Sequence, residues 1–220
     1  MASSNQIKST WSWQQKLSRA VEVLQKEGIK SFWFKLLSEI GYRRVFWLKR
    51  SLEGPIPNVK PRLHVAISLL KKTEVNEYVG FRTELDSSYV ASRLDAGHWC
   101  FVARYKGKLI SATWATTNQT SSSFLAREIR LKPGEVYTYD SFTSPDFRGL
   151  SVSPTVKVAM MRYFRDTGYR QMICWVLPEN NPSLNALQRV GFRSFGMMGH
   201  VKIGLWRWHF YRTHESYDLL

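Results

Sequence analysis

Two helix starts in this chain are written alike, and each follows an apolar run with strand character. Ser153-Pro154 comes after Glu135–Thr143, and Asn181-Pro182 comes after Gln171–Leu177. A Ser or Asn side chain can accept from an orphaned first-turn amide, and proline at the next position has no N–H to leave unpaired. The pattern predicts Ser153 and Asn181 as caps of helices over Val156–Asp166 and Leu184–Val190, the second stopped by Gly191. With the alternating run Val201–Trp206 closing the chain as β, strand, helix, strand, helix and strand follow in order. That order requires a central sheet covered by helices.

Upstream, the chain reads in two parts. Trp13, Leu17, Val21 and Leu24 recur at helical spacing before Gly28, and Ser31 can cap a second helix containing Phe32, Leu36, Leu37 and Ile40, closed by Gly41. Tyr42–Arg50 is rich in β-branched and aromatic residues and reads as a strand. Gly54–Pro61 holds three prolines, which fix φ and remove donors, and is the best linker in the chain. The expected division is therefore 1–62, a basic, aromatic-rich extension, and 63–220, the main domain. In the latter, a short strand near Leu63–Ile67 precedes helices around Glu74–Arg82 and Ser88–Asp95. A hairpin through His98–Arg104 and Leu109–Thr116 turns at Lys106-Gly107-Lys108.

Composition narrows the class. Two cysteines, Cys100 and Cys174, lie inside apolar runs and read as buried thiols of a reducing, cytoplasmic compartment rather than a disulfide framework. The five histidines are scattered, so no zinc site is expected, and no apolar run reaches membrane-spanning length. The net charge is +15, of which residues 1–62 carry +8, from twelve Lys/Arg against four Glu. Such an excess points to an anionic partner: a membrane surface, an acidic protein, a phosphorylated ligand or nucleic acid.

The chemistry sits between Ser144 and Pro154. Gly149, Ser151 and Ser153 are small enough to let backbone approach a ligand, and the amides of a helix start point at it with the positive end of the helix dipole. Arg148 adds a charged fork. The same segment also reads as an ordinary strand-to-helix turn with a surface arginine.

Taken with Asn180–Phe192, the loop resembles the GNAT superfamily of acyl-CoA-dependent N-acyltransferases. That family carries Arg/Gln-x-x-Gly-x-Gly/Ala after a strand and, later, an Asn-x-x-Ala/Ser helix ending in Gly-Phe. Arg148-x-x-Ser151-x-Ser153 matches the first and Asn180-x-x-Ser183 with Gly191-Phe192 the second. The resemblance covers roughly residues 63–212. It implies an α/β (α+β) fold with a mixed, mostly antiparallel sheet and helices on both faces. It also implies acetyl-CoA or another acyl-CoA as co-substrate, no metal, and an amine acceptor. Gly149, Leu150, Ser151, Val152 and Ser153 would hold the pyrophosphate with Arg148. The strand ending at Phe142 and Thr143 would splay from the one near Cys174, and pantetheine would pair with its backbone beside Asn180 and Ser183.

Amine acylation needs proton removal and an oxyanion site. Asp140 stands where many family members place an acid, and Glu135 is the alternative. Period-two geometry puts Asp140 on one face with Thr138 and Phe142, and Tyr137, Tyr139 and Ser141 on the other. Tyr139, Tyr163 and Tyr169 are further acids, with core packing the competing role. Three departures stand out: Ser151 replaces glycine, Leu187 occupies the position of a proton-donating tyrosine, and the basic extension is additional. The leading reading is an N-acetyltransferase, with a cell-envelope, polysaccharide-precursor or lipid-linked acceptor at the inner face of a membrane. Ser151 and the positive surface raise a variant in which acyl carrier protein delivers a long chain. A non-catalytic binding module for membrane or nucleic acid is the alternative from another class.

Overall fold

A computed structural model describes residues 41–203 and 206–213. The two helices expected before Gly41 lie outside these residues. The chain divides into two units, 1–43 with 200–208 and 44–199 with 209–220. Of the first, the described part is short: the Lys202 amide donates to the Gly41 carbonyl at 2.9 Å.

The strands are β1 (Tyr42–Ser51), β2 (Ala66–Leu69), β3 (Trp99–Tyr105), β4 (Lys108–Thr116), β5 (Thr120–Ser122), β6 (Arg127–Ile129), β7 (Glu135–Thr143), β8 (Gln171–Val176), β9 (Arg193–Ile203) and β10 (Trp206–Thr213). The helices are α1 (Val75–Phe81), α2 (Ser87–Asp95), α3 (Val152–Asp166) and α4 (Asn181–Arg189). Eight strands form one sheet in the order β10-β9-β1-β8-β7-β4-β3-β2, and β5 pairs with β6 separately. The pairings β1–β8, β2–β3, β3–β4 and β4–β7 are antiparallel, and β7–β8 is parallel. This is the mixed, mostly antiparallel sheet that the resemblance implied.

β1 lies within the residues placed outside the family core, yet it pairs with β8 from Phe46↔Val176 to Ser51↔Gln171. Its buried Val45, Trp47 and Leu48 explain why: burying them requires a neighbour on each face. The hairpin between β3 and β4 turns at Lys106 and Gly107, both at positive φ, as a two-residue connection demands. The short strand expected near Leu63–Ile67 forms three residues later, at Ala66–Leu69.

Sheet faces follow the alternation of side chains. Val136 of β7 and Met172, Cys174 and Val176 of β8 pack with Val156, Met160 and Phe164 of α3. Trp114, Cys100 and Val102 pack with Tyr78 of α1 and Val90 of α2. Both cysteines are buried and free.

Two caps fall earlier than their Pro dipeptides suggested. α3 begins at Val152, with Ser151 rather than Ser153 at its boundary and no side-chain cap bond. Proline within a first turn costs no intrahelical hydrogen bond, so Pro154 is tolerated at the third position. In α4 it is Asn180, not Asn181, whose side chain accepts from the Ser183 amide, at 3.2 Å.

Candidate active site

β7 is the axis of the site. Its first three residues pair with β8 as Glu135↔Gln171, Val136↔Met172 and Tyr137↔Ile173, and the ladder ends there. Beyond Tyr137 the two strands part, although β7 runs to Thr143 and β8 to Val176. On the other side β7 stays paired with β4, with a register shift: Trp114 faces Tyr139 and Ala112 faces Phe142, so Asp140 and Ser141 together oppose Thr113. That is a β-bulge, and Asp140 carries it at φ 46°.

The bulge overturns the expected alternation. Asp140 does not share the face of Thr138. Thr138 accepts a hydrogen bond from Lys157 of α3. The Asp140 carboxylate turns the other way, to Arg82 Nη2 at 3.0 Å and Arg93 Nη1 at 2.7 Å, beside α1 and α2. Burial alone would raise its pKa, but the two guanidiniums outweigh burial and hold it below the ordinary carboxylate value. Arg82 also pairs with Glu84 and lies 4.6 Å over the Phe142 ring, and Arg93 lies over Tyr89, Trp114 and Tyr139.

Glu135 lies at the other end of the strand. It is buried, accepts from the Lys132 amide at 2.9 Å and from Gln171 Nε2 at 3.0 Å, and burial raises its pKa. Five residue steps along the strand, roughly 17 Å, separate it from Asp140.

After Thr143, a short 3-10 turn over Pro145–Phe147 leads into the loop. Arg148 is exposed, and its Nε donates to the Thr143 carbonyl at 3.1 Å, which ties the loop to the open end of β7. Gly149 and Ser151 both take the left-handed conformation, φ 76° and 60°. A serine thus adopts the backbone that the family's glycine usually supplies, at a cost of about 1 kcal/mol. The amides of Gly149, Leu150, Ser151, Val152 and Ser153 have no protein acceptor among the described residues, and they cluster at the start of a fifteen-residue helix. Free donors at a helix start form an anion site.

Across the wedge, α4 is fixed at both ends. Glu179 pairs with Arg44 of β1 at 2.7 Å, and Gly191 follows the helix at φ 86°, where a Cβ would lie 3.1 Å from the Arg50 guanidinium. Asn180 spends its side-chain oxygen on the cap, and Ser183 stands beside it on the first turn. Leu187 is buried in the α3 core and supplies no acid.

Phe142 and Thr143 thus lie on the half of β7 that has left β8, Arg148 and the loop to Ser153 follow from it, and Asn180 and Ser183 stand at the start of α4 after β8, whereas Glu135 stays at the closed end. Sequence reasoning missed Arg82 and Arg93, whose pairing depends on the bulge. It also missed His98, whose Nδ1 hydrogen-bonds the Tyr139 hydroxyl on the face of Asp140. Burial, then Arg93, lowers the His98 pKa and keeps the ring neutral near pH 7. Lys157 was missed as well, although Met160, Met161 and Phe164 follow it at helical spacing, a signal that sets a lysine in an apolar stripe. Among the described residues, no group of three His, Cys, Asp or Glu could hold a metal, and no helix is long and apolar enough to cross a membrane.

A search of curated proteins finds no match. Among solved structures, an acetyltransferase of the GNAT family from Novosphingobium aromaticivorans is 18% identical, covers 72% of this chain and 65% of its own, and has a TM-score of 0.51. A GNAT acetyltransferase from Colwellia psychrerythraea gives 13%, 74%, 57% and 0.53. The GCN5-related glucosamine N-acetyltransferase region of a fungal multi-domain β-N-acetylglucosaminidase gives 15%, 84%, 23% and 0.55. At these identities the likeness is one of fold. The description "Acetyltransferase (GNAT) family" matches residues 68–192, which span the bulge, the loop and α4. The chain belongs to the GNAT acetyltransferase family.

Proposed function

We propose that the protein transfers a short acyl group, acetyl first, from acyl-CoA to a primary amine. The observation that carries this reading is the half-open β7. Its backbone loses β8 after Tyr137 and turns at the bulge, and its far end is tied to a loop of five free amides. Pyrophosphate fits those amides, with Arg148 beside them. The pantetheine arm fits the exposed backbone of Phe142 and Thr143, running inward past Asn180 and Ser183. The carbonyl to be attacked then lies at the bulge, where backbone amides can stabilise the oxyanion.

The acceptor amine would enter from the α1 and α2 face. Asp140 fits a positioning role better than that of a base, since both its oxygens are engaged by arginines that lower its basicity. Neutral His98 fits the base: Tyr139 orients it through Nδ1, and Nε2 has no protein partner among the described residues. Glu135 fits neither step from the closed end of β7. With Leu187 in place of an acid, the leaving group departs as a thiolate, which is tolerable because a thiol of ordinary pKa, about 8.5, is partly ionised near neutral pH.

Ser151 already takes the left-handed shape, so the loop gives no reason to exchange coenzyme A for acyl carrier protein; the basic surface remains the argument for that donor. A phosphorylated, lipid-linked or polysaccharide-precursor amine at the cytoplasmic face of a membrane suits the same charge. The test is the melting temperature with acetyl-CoA, followed by thiol release with an amine panel. A rise with acetyl-CoA, and thiol release that His98→Gln abolishes while leaving that rise intact, would support the proposal. No rise at saturating acetyl-CoA would end it.

A further inference from the structure

Lys157 is the one lysine on the buried side of α3, 5% exposed, and among the described residues no carboxylate pairs with it. Its Nζ donates to Thr138 Oγ1 at 3.0 Å, and the Thr138 hydroxyl faces the Ile173 carbonyl at 3.5 Å. An ammonium has three donors, and here one of them is used. Thr138 and Cys174 are the first residues of β7 and β8 beyond their last pair, Tyr137↔Ile173. The amine therefore lies under the point where the wedge closes. Methionine fills the same helix face at Met160 and Met161, so an apolar chain would pack there without the cost of burying an amine. Burial pulls the Lys157 pKa down to about 8.

We infer that Lys157, held by Thr138, forms a polar floor at the closed end of the wedge and restricts the donor to short acyl groups. The inference rests on the proposed placement of pantetheine. With phosphates at Gly149–Ser153, the arm enters beside Thr143 and runs toward Thr138, a strand length of roughly 17 Å. Carbons beyond the thioester carbonyl continue toward the Thr138–Lys157 pair. An acetyl group ends after one methyl. A butyryl or longer chain must press apolar carbon against an amine already short of acceptors, or break its bond to Thr138.

The test measures calorimetric dissociation constants of CoA, acetyl-CoA, butyryl-CoA and octanoyl-CoA for the full chain, Lys157→Met, Lys157→Gln and Thr138→Val. The wild-type protein should bind butyryl-CoA at least tenfold more weakly than acetyl-CoA. Lys157→Met should narrow that ratio to within threefold, Thr138→Val should narrow it in part, and Lys157→Gln, which keeps a donor to Thr138, should preserve it. A ratio near one in the wild type, or one unchanged in both Lys157→Met and Thr138→Val, overturns the inference while leaving the CoA reading in place. If CoA itself binds to none of the four proteins, the donor reading falls and the inference with it.

Discussion

The two halves of β7 have the same sequence character and opposite fates. From Glu135 to Tyr137 the strand is paired with β8, with β4 joining it at Tyr137, and its one charged group is answered from within the protein, by the Lys132 amide and Gln171. From Thr138 to Thr143 it keeps β4, loses β8 and carries a bulge. Here polar groups are held by partners from other elements instead: the Asp140 carboxylate by arginines 58 and 47 residues away, and the Thr138 hydroxyl by a buried lysine. A β-strand becomes a binding surface where one edge is released, and the polar groups around it are then arranged for something other than the strand itself.

The sharpest way to break this contrast is to remove the charge that holds the bulge. Asp140→Ala leaves Arg82, whose side chain is 9% exposed, and Arg93 without their shared anion, and should cost about 4 kcal/mol of stability. Denaturant unfolding monitored by tryptophan fluorescence checks this. Because the folded-state pKa of Asp140 is depressed, its contribution is present above the unfolded value of about 3.9 and is lost as pH falls through the lower folded one. Acid unfolding of the wild type should therefore be steeper below about pH 4 than that of Asp140→Asn.

Lys157→Met should act in the opposite direction. The lysine pKa falls on folding from 10.5 to about 8, so its destabilisation is fully present below pH 8 and vanishes as pH rises to the unfolded value. The substitution should raise stability at pH 7 by on the order of 3 kcal/mol and by little at pH 10. A gain independent of pH would show that the amine is not the cause. Ser151→Val places a β-branched residue at φ 60°, and should lose about 1.5 kcal/mol and weaken acetyl-CoA binding, read by calorimetry. The smallest effect belongs to the closed half. Glu135→Gln should change stability by less than about 1 kcal/mol and leave turnover within twofold. A tenfold loss of turnover there would move the chemistry to the other end of the strand.

The regular elements of this fold were legible because they rest on local signals: apolar periodicity, Pro near helix starts, and Gly191 after α4. The cap residues shifted to Ser151 and Asn180, since proline tolerates several first-turn positions and does not by itself fix the boundary. The family loop and the α4 motif were legible as the helix starts that follow β7 and β8. What period-two reasoning lost was the face of Asp140. A bulge is decided by pairing with β4, and nothing between Tyr139 and Phe142 announces it. Arg82, Arg93 and His98 were hidden for the same reason, since they meet β7 only through the sheet. Lys157 was missed too, although the apolar stripe around it is a sequence signal; its meaning required knowing where β7 and β8 part.

Hydrogen–deuterium exchange with and without saturating acetyl-CoA tests the central claim most directly, because it reads the two halves of β7 separately. Slower exchange should appear in Thr138–Thr143 and in Gly149–Ser153, with Glu135–Tyr137 unchanged. Exchange that stays the same across the open half and the loop, while acetyl-CoA is bound elsewhere or not at all, would contradict the account.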